Sequence, residues 1–83
     1  MCAPRIGKRL KRPPDLKREV LLRSYRPDEW PQWFAAAGLV SPTIKGAMFD
    51  SSIIMAEVAA RGAGVALLPA SMFGEELKQG RLV

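Results

Sequence analysis

Phe49-Asp50-Ser51-Ser52-Ile53-Ile54-Met55-Ala56-Glu57-Val58-Ala59-Ala60-Arg61-Gly62-Ala63-Gly64-Val65-Ala66-Leu67-Leu68-Pro69 is the stretch on which the reading of this chain turns. Asp50, Ser51 and Ser52 carry short oxygen-bearing side chains, and any of the three can cap the unpaired N–H groups that open a helix. From Ile53 to Arg61 only Glu57 and Arg61 are charged, which predicts a helix apolar around most of its circumference and largely buried. Gly62 supplies the left-handed residue that stops it, with Arg61 set against the negative end of the helix dipole. Val65 to Leu68 is then an unbroken apolar run, the mark of a strand covered on both faces, and Pro69 ends it. Strand end, polar corner, helix and strand together make one crossover unit of an α/β sheet.

Such a corner has a second use. In open parallel sheets ligands gather beyond the carboxyl ends of the strands, where helix N-termini offer free N–H groups and a partial positive charge. Ser51 and Ser52 are therefore candidates for contact with an oxygen-rich or anionic ligand, set against the simpler role of capping.

Upstream of the corner, Pro4 to Leu10 predicts a short amphipathic helix with Ile6 and Leu10 on one face, stopped by Pro13 and Pro14. Asp15 and Leu16 allow a single turn. Val20, Leu21 and Leu22, within Glu19 to Ser24, read as a buried strand. After a loop containing Pro27, Asp28 is placed to cap a helix from Glu29 to Ala37, whose Trp30, Trp33, Phe34 and Ala37 form a stripe suited to core packing. Gly38 closes that helix, and Ile44 to Phe49 is a third extended segment. Downstream of Pro69, Ala70 to Gln79 predicts a helix capped by Ser71, with Glu75 and Glu76 on its exposed side, Gly74 weakening it and Gly80 ending it. Arg81, Leu82 and Val83 look like the start of a further strand. The alternation of strands and helices implies a mainly parallel sheet flanked by helices.

Composition narrows the function classes. Eighty-three residues make one small domain at most, and a chain of that size buries only about 60–65% of its unfolded surface. The single Cys2 forms no internal disulfide and, with no histidine present, metal scaffolds are not expected, nor is a cofactor implied. The expected location is a reducing cytoplasm, without a membrane span. Residues 1–29 carry nine Lys or Arg against four acids, whereas residues 30–83 carry four against four, so the whole excess of five lies in the first third. Lys8, Arg9, Lys11 and Arg12 stand at its centre. They suit either a solvated face or, as an alternative function, a small basic nucleic-acid-binding protein using residues 5–18; no aromatic residue is interleaved among them to stack on bases. An enzyme is not expected: there is no histidine base, no Gly-x-Ser-x-Gly elbow and no phosphate-binding glycine loop, and Gly62-x-Gly64 closes a helix where a dinucleotide fingerprint opens one.

Several runs carry a family resemblance. Leu21-Leu22-Arg23-Ser24-Tyr25-Arg26, Asp28-Glu29-Trp30 with Trp33, Ala36-Ala37-Gly38, Phe49-Asp50-Ser51-Ser52, Gly62-x-Gly64-Val65-Ala66-Leu67, Pro69 and Met72-Phe73 together resemble the effector-binding domain of LysR-type transcriptional regulators. Within that family the likeness is to the regulators of chromosomal β-lactamase and the glycine-cleavage-activator branch, and it covers nearly the whole chain from about residue 4. The resemblance implies a type 2 periplasmic-binding-protein-like fold in which two α/β subdomains clamp an effector, here a muropeptide or a nucleotide-linked cell-wall precursor. It implies that the serine of the Phe-Asp-Ser-Ser corner, Ser51 or Ser52, lines the effector pocket beside Asp50, with Tyr25 and Arg23 as further candidates. It also implies an intact parent that binds DNA through a helix-turn-helix and works as a homo-oligomer. Nothing in residues 1–83 matches those DNA-binding helices or the first subdomain, and the Lys8 to Arg12 cluster is more basic than the family pattern. The expectation is most of the second subdomain of such a regulator.

Overall fold

A computed structural model describes residues 1–26, 29–44 and 46–83. Its helices are α1 (Pro4–Gly7), α2 (Glu29–Ala36), α3 (Ser52–Ala60) and α4 (Gly74–Lys78), with 3-10 turns at Pro13–Arg18 and Ala70–Met72. Two short strands, β1 (Arg23–Ser24) and β2 (Met48–Phe49), pair in parallel, Arg23 opposite Met48 and Ser24 opposite Phe49.

The sheet extends further through backbone bonds. Leu21 forms a parallel bridge to Val65, with Val65 N–H donating to the Val20 carbonyl and Leu22 N–H to that of Val65, both at 2.8 Å. On its other side, Ala66 N–H donates to the Met1 carbonyl at 2.8 Å. Cys2 and Val83 then exchange both of their backbone bonds, at 3.1 and 2.9 Å, in the antiparallel manner. Of the strand expected at Arg81 to Val83, only Val83 pairs in this way; the Arg81 and Leu82 N–H groups instead donate to the Glu76 carbonyl at 2.9 and 3.3 Å and close the end of α4.

Alternation along these segments divides the core in two. Leu21 and Val65 point to one side, where they pack with Cys2, Ile6, Leu16, Trp30 and Phe34. Leu22 and Ala66 point to the other, against Met55, Ala56, Ala59, Phe73 and Leu82. With period-2 side chains, a sheet so covered has α1 and α2 on one face and α3 on the other. The result is the mainly parallel, helix-flanked α/β arrangement expected. Burial in the first core pushes the Cys2 thiol above its ordinary pKa, with the nearby amino terminus opposing the shift.

Helix ends follow the glycines. Gly38, Gly62 and Gly80 have φ of +76°, +85° and +75°, the left-handed geometry that costs a residue with a side chain about 1–2 kcal/mol. At Gly62 the Arg5 guanidinium also approaches, donating to the Arg61 carbonyl at 3.2 Å across 56 residues of sequence. That second cation at the negative end of α3 was not foreseen.

Several expectations are corrected. Helix α3 is not buried all round: Met55, Ala56 and Ala59 are covered, but Ile53 is 67% and Ile54 55% exposed, because the helix meets the sheet on one face only. Val20 is exposed, so of the three apolar residues expected to be buried there only Leu21 and Leu22 are. In the apolar run expected as a strand, Val65 forms an isolated bridge; Val65 and Ala66 are buried, while Leu67 and Leu68 are half-buried beside a cavity. The single helix expected over Ala70 to Gln79 is broken at Phe73, whose φ of −123° and ψ of 31° leave the helical region. Phe73 is drawn into the second core, and the gain from burying its ring outweighs the continuity of a short helix. Ser71 is exposed and caps nothing, since Phe73 stands at the start of α4 without a side-chain cap bond. Glu76 is half-buried where an exposed side was expected. The proposed cap of α2, Asp28, lies outside the described residues, as does Lys45 in the third extended segment.

Candidate functional site

At the carboxyl ends of the parallel segments lies a cavity of about 300 Å³. Ser24, Tyr25 and Arg26 reach it from the end of β1, Glu29 from the first turn of α2, and Ser52 and Met55 from the first turns of α3. Leu67, Leu68, Pro69 and Met72 complete the wall.

The two serines of the corner separate into two roles. Ser51 is the N-cap: its backbone is extended and its Oγ accepts the Ile54 N–H at 3.3 Å. Ser52, one residue on, is the first helical residue and lines the cavity. Helical geometry rotates successive side chains by about 100°, so only one of two adjacent residues can turn back onto the opening N–H groups while the next faces outward.

Below Ser52 the polar wall is ordered by Ser24. Its Oγ donates to Glu29 Oε2 at 2.9 Å and accepts the Arg26 N–H at 3.1 Å, which ties the end of β1 to the start of α2. Trp30 Nε1 donates to the Leu22 carbonyl at 2.8 Å and fixes the same helix one residue deeper. Glu29 thereby presents a carboxylate on the cavity wall. Arg26 brings a cation to the opposite end of that polar stretch, its guanidinium 6.0 Å from the centre of the exposed Tyr25 ring.

Not all the residues expected here meet. Tyr25 and Ser52 do. Arg23 lines an adjoining hollow of about 260 Å³ with Trp30, Ile44 and Met48, and its Nε donates to the Gly46 carbonyl at 2.8 Å, bracing the segment before β2. Asp50 is exposed and, like Ser51, is not among the cavity-lining residues. Sequence reasoning missed Glu29, Arg26 and Met72. All three stand inside runs quoted for their resemblance, but read singly Glu29 is a first-turn acid, Arg26 a loop cation and Met72 one more apolar side chain.

The basic residues lie elsewhere. Lys8, Arg9, Lys11 and Arg12 are exposed on the turns after α1; Arg9 pairs with Glu19 at 2.8 Å. Asp15 accepts the backbone N–H groups of Lys11 and Arg12 at 2.8 and 3.0 Å, and those bonds hold its carboxyl below the usual range.

Against known families, the model described as the LysR substrate binding domain matches residues 1–83. The chain belongs to the LysR substrate-binding domain family. It is 56% identical over 82 residues to the HTH-type transcriptional activator AmpR of Rhodobacter capsulatus, covering 99% of this chain and 28% of that protein. It is 54% identical over 83 residues to AmpR of Citrobacter koseri, covering all of this chain and 29% of that one. Among solved structures, the effector domain of the transcriptional regulator AmpR of Pseudomonas aeruginosa superposes with a TM-score of 0.93 at 46% identity, over 99% of this chain and 40% of that one. The AmpR effector-binding domain from Citrobacter freundii does so with a TM-score of 0.93 at 39% identity, over 99% and 42%.

The chain therefore spans less than a third of the length of these regulators, all of it within their effector-binding part. Its fold is that of a LysR effector-binding domain, the type 2 periplasmic-binding-protein-like class, as the resemblance implied. The relatives are transcriptional regulators. No helix among the described residues is long and apolar enough to cross a membrane.

Proposed function

We infer that residues 1–83 form the second of two effector-binding subdomains of a LysR-type regulator of β-lactamase expression, working in the cytoplasm without catalytic activity of their own. The cavity under α3 is one jaw of the effector cleft, and Ser52 is the corner residue that touches the effector. The observation that carries this reading is the separation of the serines, one consumed by the cap and the other facing a concavity at the strand ends. Glu29, Arg26 and Tyr25 flank the same opening. Arg23 braces the adjoining hollow through the Gly46 carbonyl, and Asp50 stands exposed beside the corner.

The effector class is a cell-wall muropeptide or precursor, by likeness to the AmpR relatives. Bound between two jaws, it favours one arrangement of the domains in a homo-oligomer, and the shift in population is passed to DNA through the helix-turn-helix part of the regulator. Half a cleft leaves much of a ligand wet, so tight binding belongs to the assembled domain.

The test is a pair of substitutions in the intact regulator. Ser51→Ala should cost about 0.5–2 kcal/mol of stability through loss of the cap. Ser52→Ala should leave the melting temperature nearly unchanged while altering transcriptional response to muropeptide. Equal effects that track stability alone would remove Ser52 from the site.

A further inference from the structure

The positive charge that the effector cavity does not use is gathered beside an apolar hollow. Residues 8–19 carry six Lys or Arg and two acids, a net charge of +4 out of the chain's +5. Both acids are already engaged, Glu19 by Arg9 and Asp15 by the backbone N–H groups of Lys11 and Arg12. Arg12 and Arg18 add to the field on Asp15. Even so, no carboxylate of the described residues comes within ion-pair distance of Lys8, Lys11, Arg12, Lys17 or Arg18.

Next to these cations is an open hollow of about 260 Å³ floored by Leu10, Pro13, Leu16 and Trp33, with Lys11 and Arg12 on its rim. Trp33 comes from α2, so the fold supplies the aromatic partner that the basic run lacks in sequence. Its ring is held by edge-to-face contacts with Phe34, 5.1 Å between centres at 85°, and with Trp30, 5.9 Å at 69°. A half-buried tryptophan fixed in this way gives a rigid anchor at little entropic cost.

We propose that this hollow is a docking surface for an acidic protein segment, one apolar side chain seated on Leu10, Leu16 and Trp33 and its carboxylates facing Lys11 and Arg12. A peptide fits better than a nucleic acid. Base stacking requires an open ring face, and Trp33 is half-buried against its neighbours, whereas the concave apolar floor suits an aliphatic or aromatic side chain. Opposite charge on the rim adds steering and orientation to the apolar contact.

The 83-residue chain is titrated with a synthetic peptide in which glutamates flank a central phenylalanine, and binding is followed by NMR at the two indole N–H groups. The Trp33 resonance should move in proportion to occupancy. That of Trp30, bonded internally to the Leu22 carbonyl, should stay as the internal reference. Lys11→Glu with Arg12→Glu, both exposed and therefore tolerated by the fold, should weaken binding at least tenfold. Replacing the peptide's glutamates by glutamine, or its phenylalanine by serine, should do the same. Undiminished binding by the charge-reversed chain or the glutamine peptide would overturn the proposal, as would no response of Trp33 at all. A Trp33 shift with duplex DNA and none with the peptide would transfer the surface to nucleic acid.

Discussion

Replacing Trp30 by Phe removes a single hydrogen bond and part of one ring from the point where α2 meets the sheet. Trp30 is 2% exposed and its Nε1 donates to the Leu22 carbonyl at 2.8 Å, so the change takes that donor away from a buried acceptor. Stranding a buried polar group costs about 1–3 kcal/mol. The missing five-membered ring leaves a void on the order of 40 Å³, and at roughly 24 cal/mol per Å³ this adds about 1 kcal/mol. The sum, about 2–4 kcal/mol, is large for a chain whose total stability is on the order of 4–12 kcal/mol at its length. Urea unfolding followed by far-ultraviolet circular dichroism avoids the lost fluorophore, and the midpoint of a thermal melt should fall by about 10–20 °C. Trp33→Phe is the control: Trp33 is half-buried, with no hydrogen bond among the described residues, and should cost less than about 1 kcal/mol. Equal losses from the two substitutions would refute the assignment of the Trp30 contact as the pin between α2 and the residue that leads into β1.

Glycine substitutions should have opposite signs. Gly62→Ala forces a side chain into φ of +85° and against the Arg5 guanidinium, so it should destabilise by about 1–2 kcal/mol. Gly74→Ala, in α4 with nothing near its added carbon, should stabilise by up to about 1 kcal/mol, and chemical denaturation reads both. Asp15 has a folded pKa below its unfolded value, so its contribution is present above about pH 4 and is lost as pH falls through the folded pKa. Asp15→Asn should therefore flatten the acid limb of the stability profile and leave it unchanged in slope near neutrality. Cys2, buried and with a raised pKa, should react with iodoacetamide much more slowly in the folded chain than in urea.

What could be read in the sequence was mostly local. Gly38, Gly62 and Gly80 mark three helix ends because a positive φ is a property of one residue. The corner at Asp50 to Ser52 was legible as a helix start, but three adjacent capping residues are equivalent until the backbone path chooses Ser51. The stripe of Trp30, Trp33, Phe34 and Ala37 declared a buried face through its spacing, but only Trp30 and Phe34 are buried: Trp33 is half-buried and Ala37 exposed, at the end of the helix. Helix α3 declared none, since a nearly all-apolar helix has no polar side, and only the packing reveals that Ile53 and Ile54 stand outside. The break at Phe73 was hidden because it depends on the second core, whose members come from residues 22, 55 and 82. Glu29 was hidden for a related reason. Its significance comes from Ser24, five residues earlier and on a different element.

Cys2 and Val83 share a pair of backbone hydrogen bonds, which puts residues at the two extremes of the stretch roughly 5.5 Å apart. The two segments therefore depend on each other: Cys2→Pro removes the N–H that the Val83 carbonyl accepts, and amide exchange at residues 2 and 83 should lose its protection together.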